Sequence, residues 1–239
     1  MHPSVTEPVP ALVTLHLWRI APTSVPTALL RMGVDRGRVR RTPGVRFAKL
    51  LGTGDGRTFT VRDADPLRWG LLATWVSPEA ARAFEHSAVA LAWGRLAVES
   101  WRADLRPVAS RGTWSGRAPF GDPVPVRSSG PVAALTRARL RPAAAAGFWR
   151  SVPPVSADLR ERPGLRAAVG IGEAPVGLQG TFSLWESGAA VREFARGPAH
   201  AAVVARTGPE RWYVEELFAR FDVVGTEGTL DGRDPLSRP

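Results

Sequence analysis

Apolar residues at Val13, Leu15 and Leu17 alternate with polar or neutral ones, which predicts an opening strand with one buried face. The same alternation returns at Ala133 and Leu135. After each of these strands a proline, Pro22 or Pro142, introduces a helical stretch. A Pro-Gly turn then leads into a second strand, at 45–51 or 165–171, and a glycine-rich segment follows that predicts a loop, Gly52-Thr53-Gly54-Asp55-Gly56 or Gly170-Ile171-Gly172. A third strand ends at Trp75 or Trp185. The next helix begins after Ser77-Pro78, a serine N-cap with proline at the first helical position, or after Ser187. A last strand is predicted at 98–108 or 214–224.

Three local strings recur in step with these elements. Pro43-Gly44-Val45-Arg46 returns 120 positions later as Pro163-Gly164-Leu165-Arg166, and Trp75 with Phe84 returns 110 positions later as Trp185 with Phe194. Val98-Glu99, with Ala103, returns 116 positions later as Val214-Glu215, with Ala219. Offsets that change only between blocks place the length differences in loops, so the pattern is that of a duplication. Each copy has the order βαββαβ of a ferredoxin-like unit. The expected class is α+β: tandem ferredoxin-like repeats forming a dimeric-type α+β barrel, with room for a ligand between sheet and helices. The first repeat spans 10–109 and the second, carrying the candidate site, 131–227. Residues 110–130, rich in Gly, Pro and Ser, read as a linker, and 228–239 as a polar tail that frays.

Composition narrows the chemistry. The chain has 239 residues, 44% hydrophobic and 23% charged, which is globular composition. Its formal charge of +10 suggests an acidic partner, but Lys49 is the only lysine among 32 basic residues. That skew, beside abundant Ala, Gly and Pro, fits a GC-rich codon choice better than a nucleic-acid surface, and the densest basic run, Arg36, Arg38, Arg40 and Arg41, reads as a solvated helix end. Zero cysteine excludes disulfides, iron–sulfur clusters, thiolate-ligated haem and thiol nucleophiles, and points to the cytoplasm. No apolar run is long enough to span a membrane, and 1–17 lacks the cationic start of a signal peptide.

Motif chemistry is sparse. Gly52-x-Gly-x-Gly lacks the dinucleotide fingerprint's third glycine and lies between strands, so a tight turn explains it better than phosphate binding. Gly-x-Ser-x-Gly and His-Glu-x-x-His are absent. Among the four histidines, His2 lies in a terminal arm, His16 is out of register with the apolar face of its strand, and His86 follows Phe84-Glu85. His200 follows Gly197-Pro198-Ala199, read as a helix break that the first copy lacks, and shares a helix face with Val203 and Val204. A packed core histidine is the alternative to a ligand at that position. Residues common to both copies serve the fold, whereas places where the copies diverge are where one could specialise. His200, Gln179 (opposite Trp69) and Arg137 (opposite Leu17) all diverge in the second copy. An inward imidazole with Arg and Gln on neighbouring strands suits haem: an axial base, a cation and a hydrogen-bond donor.

Several strings also resemble the spheroidene monooxygenase family of carotenoid ketolases. They include the stretch from Pro43 to Gly54, Arg111-Gly112-Thr113-Trp114-Ser115-Gly116 with Pro119-Phe120, and Gly130 to Ala138. Phe148 to Pro154, Gly170 to Pro175 and Gln179 to Glu186 complete the set, in family order across 13–224. The resemblance implies oxygen-dependent monooxygenation of an acyclic carotenoid end group, a haem b cofactor with its iron on His200, and electrons from reduced ferredoxin. Arg137 and Gln179 are the candidate distal catalytic groups, since no cysteine is available as a thiolate ligand. Trp149, in the Phe-Trp-Arg string of the helix beside the site, is a candidate cofactor contact. The remaining alternatives are a haem or small apolar ligand-binding protein without turnover, or a dehydratase or cofactor-free monooxygenase on the same barrel. Peripheral membrane contact and a homo-oligomer fit an apolar substrate and this fold.

Overall fold

A computed structural model describes residues 7–58, 60–174 and 179–237, so His2 and Pro175 lie outside the described residues. The first half runs β1 (Leu12–Ile20), α1 (Val25–Arg40), β2 (Val45–Gly54), β3 (Ala64–Trp75), α2 (Pro78–Glu85), α3 (Ala88–Leu96) and β4 (Ala97–Gly112). The second runs β5 (Val132–Leu140), α4 (Ala145–Glu161), β6 (Leu165–Gly172), β7 (Gly180–Trp185), α5 (Gly188–Arg196), α6 (Pro198–Glu210) and β8 (Tyr213–Gly228). The class is α+β, as expected. The strands form one antiparallel sheet in the order β1-β3-β2-β6-β7-β5-β8-β4, and because β4 also pairs with β1 the sheet closes on itself.

The registers of the halves share their offsets. Leu15 lies opposite Leu72 and Ala103, and Leu135 lies opposite Phe182 and Ala219. Both Pro-Gly turns place glycine in the left-handed region, at φ 81° for Gly44 and for Gly164. A Cβ on Gly44 would stand 2.4 Å from that of Ala80, and one on Gly164 2.8 Å from that of Ala190, so the turns pack directly on α2 and α5.

Four expectations need correction. The glycine-rich segment after β2 is not wholly a loop: Gly52, Thr53 and Gly54 pair with Gly172, Ile171 and Gly170, and this ladder joins the two halves. The first half's second helix is also broken, because Ser87 caps a new helix by accepting from the Ala90 amide, as Ser77 does for α2 and Ser187 for α5. The break before His200 is therefore common to both halves. The segment read as a linker is not a mere connection, since Trp114 and Phe120 are buried in the barrel interior. Nor is the tail a fraying polar end, since Leu230 joins the same core.

These last two corrections share a cause. Thr113-Trp114-Ser115-Gly116-Arg117 and Thr229-Leu230-Asp231-Gly232-Arg233 are equivalent turns, each closed by a bridge from its second to its fifth residue. Glu215 accepts from Thr113 Oγ1 (3.1 Å) and Gly116 N (2.7 Å), and Glu99 accepts from Thr229 Oγ1 (3.0 Å) and Gly232 N (2.6 Å). A carboxylate of each half thus clamps the turn that follows the other half's long strand.

Three apolar regions result. One fills the barrel, with Leu15, Phe47, Leu72, Trp101, Leu135 and Phe182 among its members. A second lies between the first half's strands and helices and is rich in aromatics: Trp18 stacks on Trp93 (5.3 Å between ring centres), and Trp93 meets Trp69. The third, under α5, is small. At positions matching Trp18, Trp69, Leu71 and Trp93 the second half has Ala138, Gln179, Thr181 and Val203, so its sheet–helix layer is not filled. Trp93→Ala is expected to cost about 3–5 kcal/mol in urea unfolding. Val203→Ala should cost about 1 kcal/mol or less, because its side chain borders open space.

Candidate functional site

That unfilled layer is a cavity of about 930 Å³, within the range of small-molecule sites. Its sheet wall carries Thr136, Gln179, Thr181 and Ser183. These are outward-facing, because the alternate residues Leu135, Phe182 and Leu184 fill the barrel. The helix wall is mainly apolar, with Phe148, Val152, Val155 and Leu159 of α4 and Val203 and Val204 of α6, interrupted by Ser151, Ser156 and Thr207. Arg111, Arg160 and Arg211 border the cavity as cations.

His200 stands on the helix wall with Val203 and Val204, on the face its spacing predicts. Its Nδ1 lies 3.1 Å from the Ala195 carbonyl, and its ring centre 5.2 Å from that of Phe194. A carbonyl can only accept, so this contact requires the proton on Nδ1 and leaves the Nε2 lone pair available. Backbone anchoring of one ring nitrogen is how metal-binding imidazoles are oriented.

Arg137 is not on the cavity wall. Following Ala133 and Leu135 on β5, it points into the barrel, and its side chain is only 4% exposed. There its Nη2 donates to Glu173 Oε1 (2.7 Å) and to Gln179 Oε1 (3.2 Å), its Nη1 pairs with Glu215, and its guanidinium covers Trp114. Glu173 also holds Lys49 (2.5 Å) and the Trp114 indole (2.7 Å). Burial alone would raise both acids, but the hydrogen bonds and cations outweigh it. Glu173 is lowered, and Glu215, held by Gly116, Arg137 and Ser115, is lowered to about 2. Gln179 and Glu215 border both this network and the cavity. Trp149, expected at the cofactor, instead lies on the solvent side of α4, 41% exposed and away from the cavity lining. Tyr213, which sequence reasoning missed, lines the cavity, and burial raises its pKa so that it stays a neutral phenol.

His16 belongs to the filled half. It stacks on Trp18 (5.4 Å) and meets the edge of Phe84, with Glu85 Oε1 at 3.5 Å from Nε2. Burial, then the charge of Arg102, lowers its pKa to about 3, so it is neutral in the fold. His86 caps the end of α2 and does not border the cavity. Among the described residues no three His, Asp or Glu side chains gather as a metal site, and no helix is long and apolar enough to cross a membrane.

No family model matches the sequence. Curated proteins do: the spheroidene monooxygenase of Rhodobacter capsulatus is 36% identical over 234 residues, covering 95% of both chains. That of Rubrivivax gelatinosus is 40% identical over 193 residues, 80% of this chain and 73% of its own. The chain belongs to the spheroidene monooxygenase family. For this family member, solved structures show a likeness of fold alone. An aldoxime dehydratase aligns with a TM-score of 0.55 at 12% identity, over 89% of this chain and 80% of its own. Another, in complex with butyraldoxime, aligns with a TM-score of 0.57 at 10% identity, over 89% and 79%.

The state of His16 can be checked by its proton uptake. The unfolded imidazole binds a proton below about pH 6.5 and the folded one does not until about pH 3, so stability is lost as pH falls through that window. His16→Leu should remove close to one proton from the pH slope of unfolding between pH 6 and 5, measured by urea titrations at stepped pH.

Proposed function

We propose that the protein is a haem-dependent monooxygenase that inserts one atom of O2 into an apolar, carotenoid-like substrate. The observation that carries this reading is His200 on the wall of a largely apolar cavity, with Nδ1 engaged and Nε2 available. A lone imidazole can retain iron when a macrocycle supplies the other ligands, which suits haem better than a bare metal ion. Haem fits the other residues too: α4 and the valines of α6 give an apolar face, and Arg111, Arg160 and Arg211 place cationic side chains at the cavity border, Arg111 facing Glu216 and Arg160 held by Ser156 and the Asp55 carbonyl. These three replace Arg137 in that role, because both Nη groups of Arg137 are already held inside the barrel by Glu173, Gln179 and Glu215.

When bound, haem would supply the oxygen chemistry, with one oxygen atom passing to substrate and the other leaving as water at the expense of two electrons and two protons. Reduced ferredoxin, or a donor like it, is the proposed electron source. The chain's own contribution is to hold the cofactor at His200, exclude water with Phe148, Val152 and Val155, and offer hydrogen bonds from Gln179, Thr136 and Thr181. With no cysteine to supply a thiolate, these polar groups are the hydrogen-bonding partners that the sheet wall would offer beside a bound haem. A carotenoid-like substrate is supported by the names of the relatives, all spheroidene monooxygenases. The aldoxime dehydratase likeness keeps a haem-dependent dehydratase as the second reading.

Addition of hemin to the full chain should produce a Soret band that is lost or shifted in His200→Ala and restored by added imidazole. Absence of haem uptake by the wild type would overturn the reading. With reductant, ferredoxin and spheroidene, labelled O2 should appear in the product, and turnover without O2 would favour the dehydratase.

A further inference from the structure

The chain contains one glutamine, no asparagine and one lysine among 32 basic residues. Its only carboxamide side chain, Gln179, and its only lysine, Lys49, belong to the same cluster, through Arg137 and Glu173. In the filled half the place of Gln179 is taken by Trp69 and that of Arg137 by Leu17, both core residues.

Arg137 is pinned from two sides. Glu215 engages Nη1 and Glu173 engages Nη2, while Lys49 and the Trp114 indole hold Glu173 in turn. A buried arrangement of this kind is weak evidence for stability, but it fixes the guanidinium in one orientation. A guanidinium has only donors. The carboxamide atom facing it at 3.2 Å must therefore be the oxygen, and the Gln179 Nε2 donors are turned the other way. Gln179 borders the cavity, and among the described residues no acceptor holds its Nε2.

We propose that Arg137 is a positioning residue that acts through Gln179, locking its carboxamide so that the cavity is offered an N–H donor and never the carbonyl oxygen. The ligand met there is one with a hydrogen-bond acceptor at the barrel end of the cavity, such as an oxygen atom. A carboxamide free to turn would present either polarity, so the lock sets which ligand end is accepted. Lys49 and Glu173 hold the lock behind the site. The orientation itself does not depend on the proposed function, whereas its use toward a haem-bound ligand does.

Because Gln179 is the only carboxamide, a 15N–1H spectrum of the full chain contains one side-chain NH2 pair of that type. Its two signals should be displaced from their positions in the urea-unfolded chain. In Arg137→Met they should move toward those positions while the backbone signals of the fold persist. A wild-type pair already at the unfolded position, or one that stays put in folded Arg137→Met, would overturn the proposal. If Arg137→Met does not fold, Arg137→Lys is read in the same way, since an ammonium cannot hold three acceptors at guanidinium geometry. In a second arm, carbon monoxide is bound to the reduced, hemin-loaded chain. Its stretching frequency should rise in Gln179→Leu and in the folded Arg137 variant, as the donor is lost; no rise in Gln179→Leu would overturn the donor role. Failure to take up hemin would count against the proposed function and leave the first arm to decide the orientation.

Discussion

A sheet that closes on itself has no free edge, and here closure depends on strands from both halves pairing with each other. The β2–β6 ladder joins them at one seam and the β4–β8 ladder at the other. Each long strand ends in a turn that is clamped by a glutamate of the opposite half, Glu215 or Glu99. The barrel interior is therefore common property, filled by side chains from all eight strands and by Trp114 and Leu230 from the clamped turns. With the inside full, only the outer faces under the helices can differ between the halves.

They differ in bulk. Under α2 and α3 the indoles of Trp18, Trp69 and Trp93 pack against one another within a buried core layer. Under α4 and α6 smaller and more polar residues leave a cavity, and His200 occupies the helix wall where the filled half has the buried Ala90. A well-packed half supplies rigidity while the other holds the cavity, which is how a small barrel can keep a large cavity without losing its fold. The ionic cluster at Arg137 belongs to the barrel rather than to the cavity, yet two of its members, Gln179 and Glu215, reach the cavity border.

Much of this was legible in the sequence, and the gaps have physical causes. Alternation located the strands, Ser77 and Ser187 marked helix starts, and the face shared by His200, Val203 and Val204 emerged from helical spacing. The first half's helix break was missed because Ser87 caps it without a proline or glycine beside it. The clamped turns were missed because Trp114 is matched by Leu230 rather than by an aromatic, although Thr-x-x-Gly-Arg was there to find. Alternation along β5 would have turned Arg137 inward with Leu135, but an arginine inside a barrel is expected only when partners for it are known, and Glu173 and Glu215 lie far off in sequence. Trp149 was drawn toward the site by its neighbours in the string; its own side chain is on the outer side of α4.

Everything in the proposed function rests on haem binding to the hollow half through His200. Its most direct test is a crystal structure of the full chain loaded with hemin. Density for the porphyrin is expected between the outer face of β5–β7 and helices α4 and α6, with iron bonded to His200 Nε2 and the first half's tryptophan layer unchanged. Haem held by another residue or on the outer surface, with that cavity still open, would contradict it.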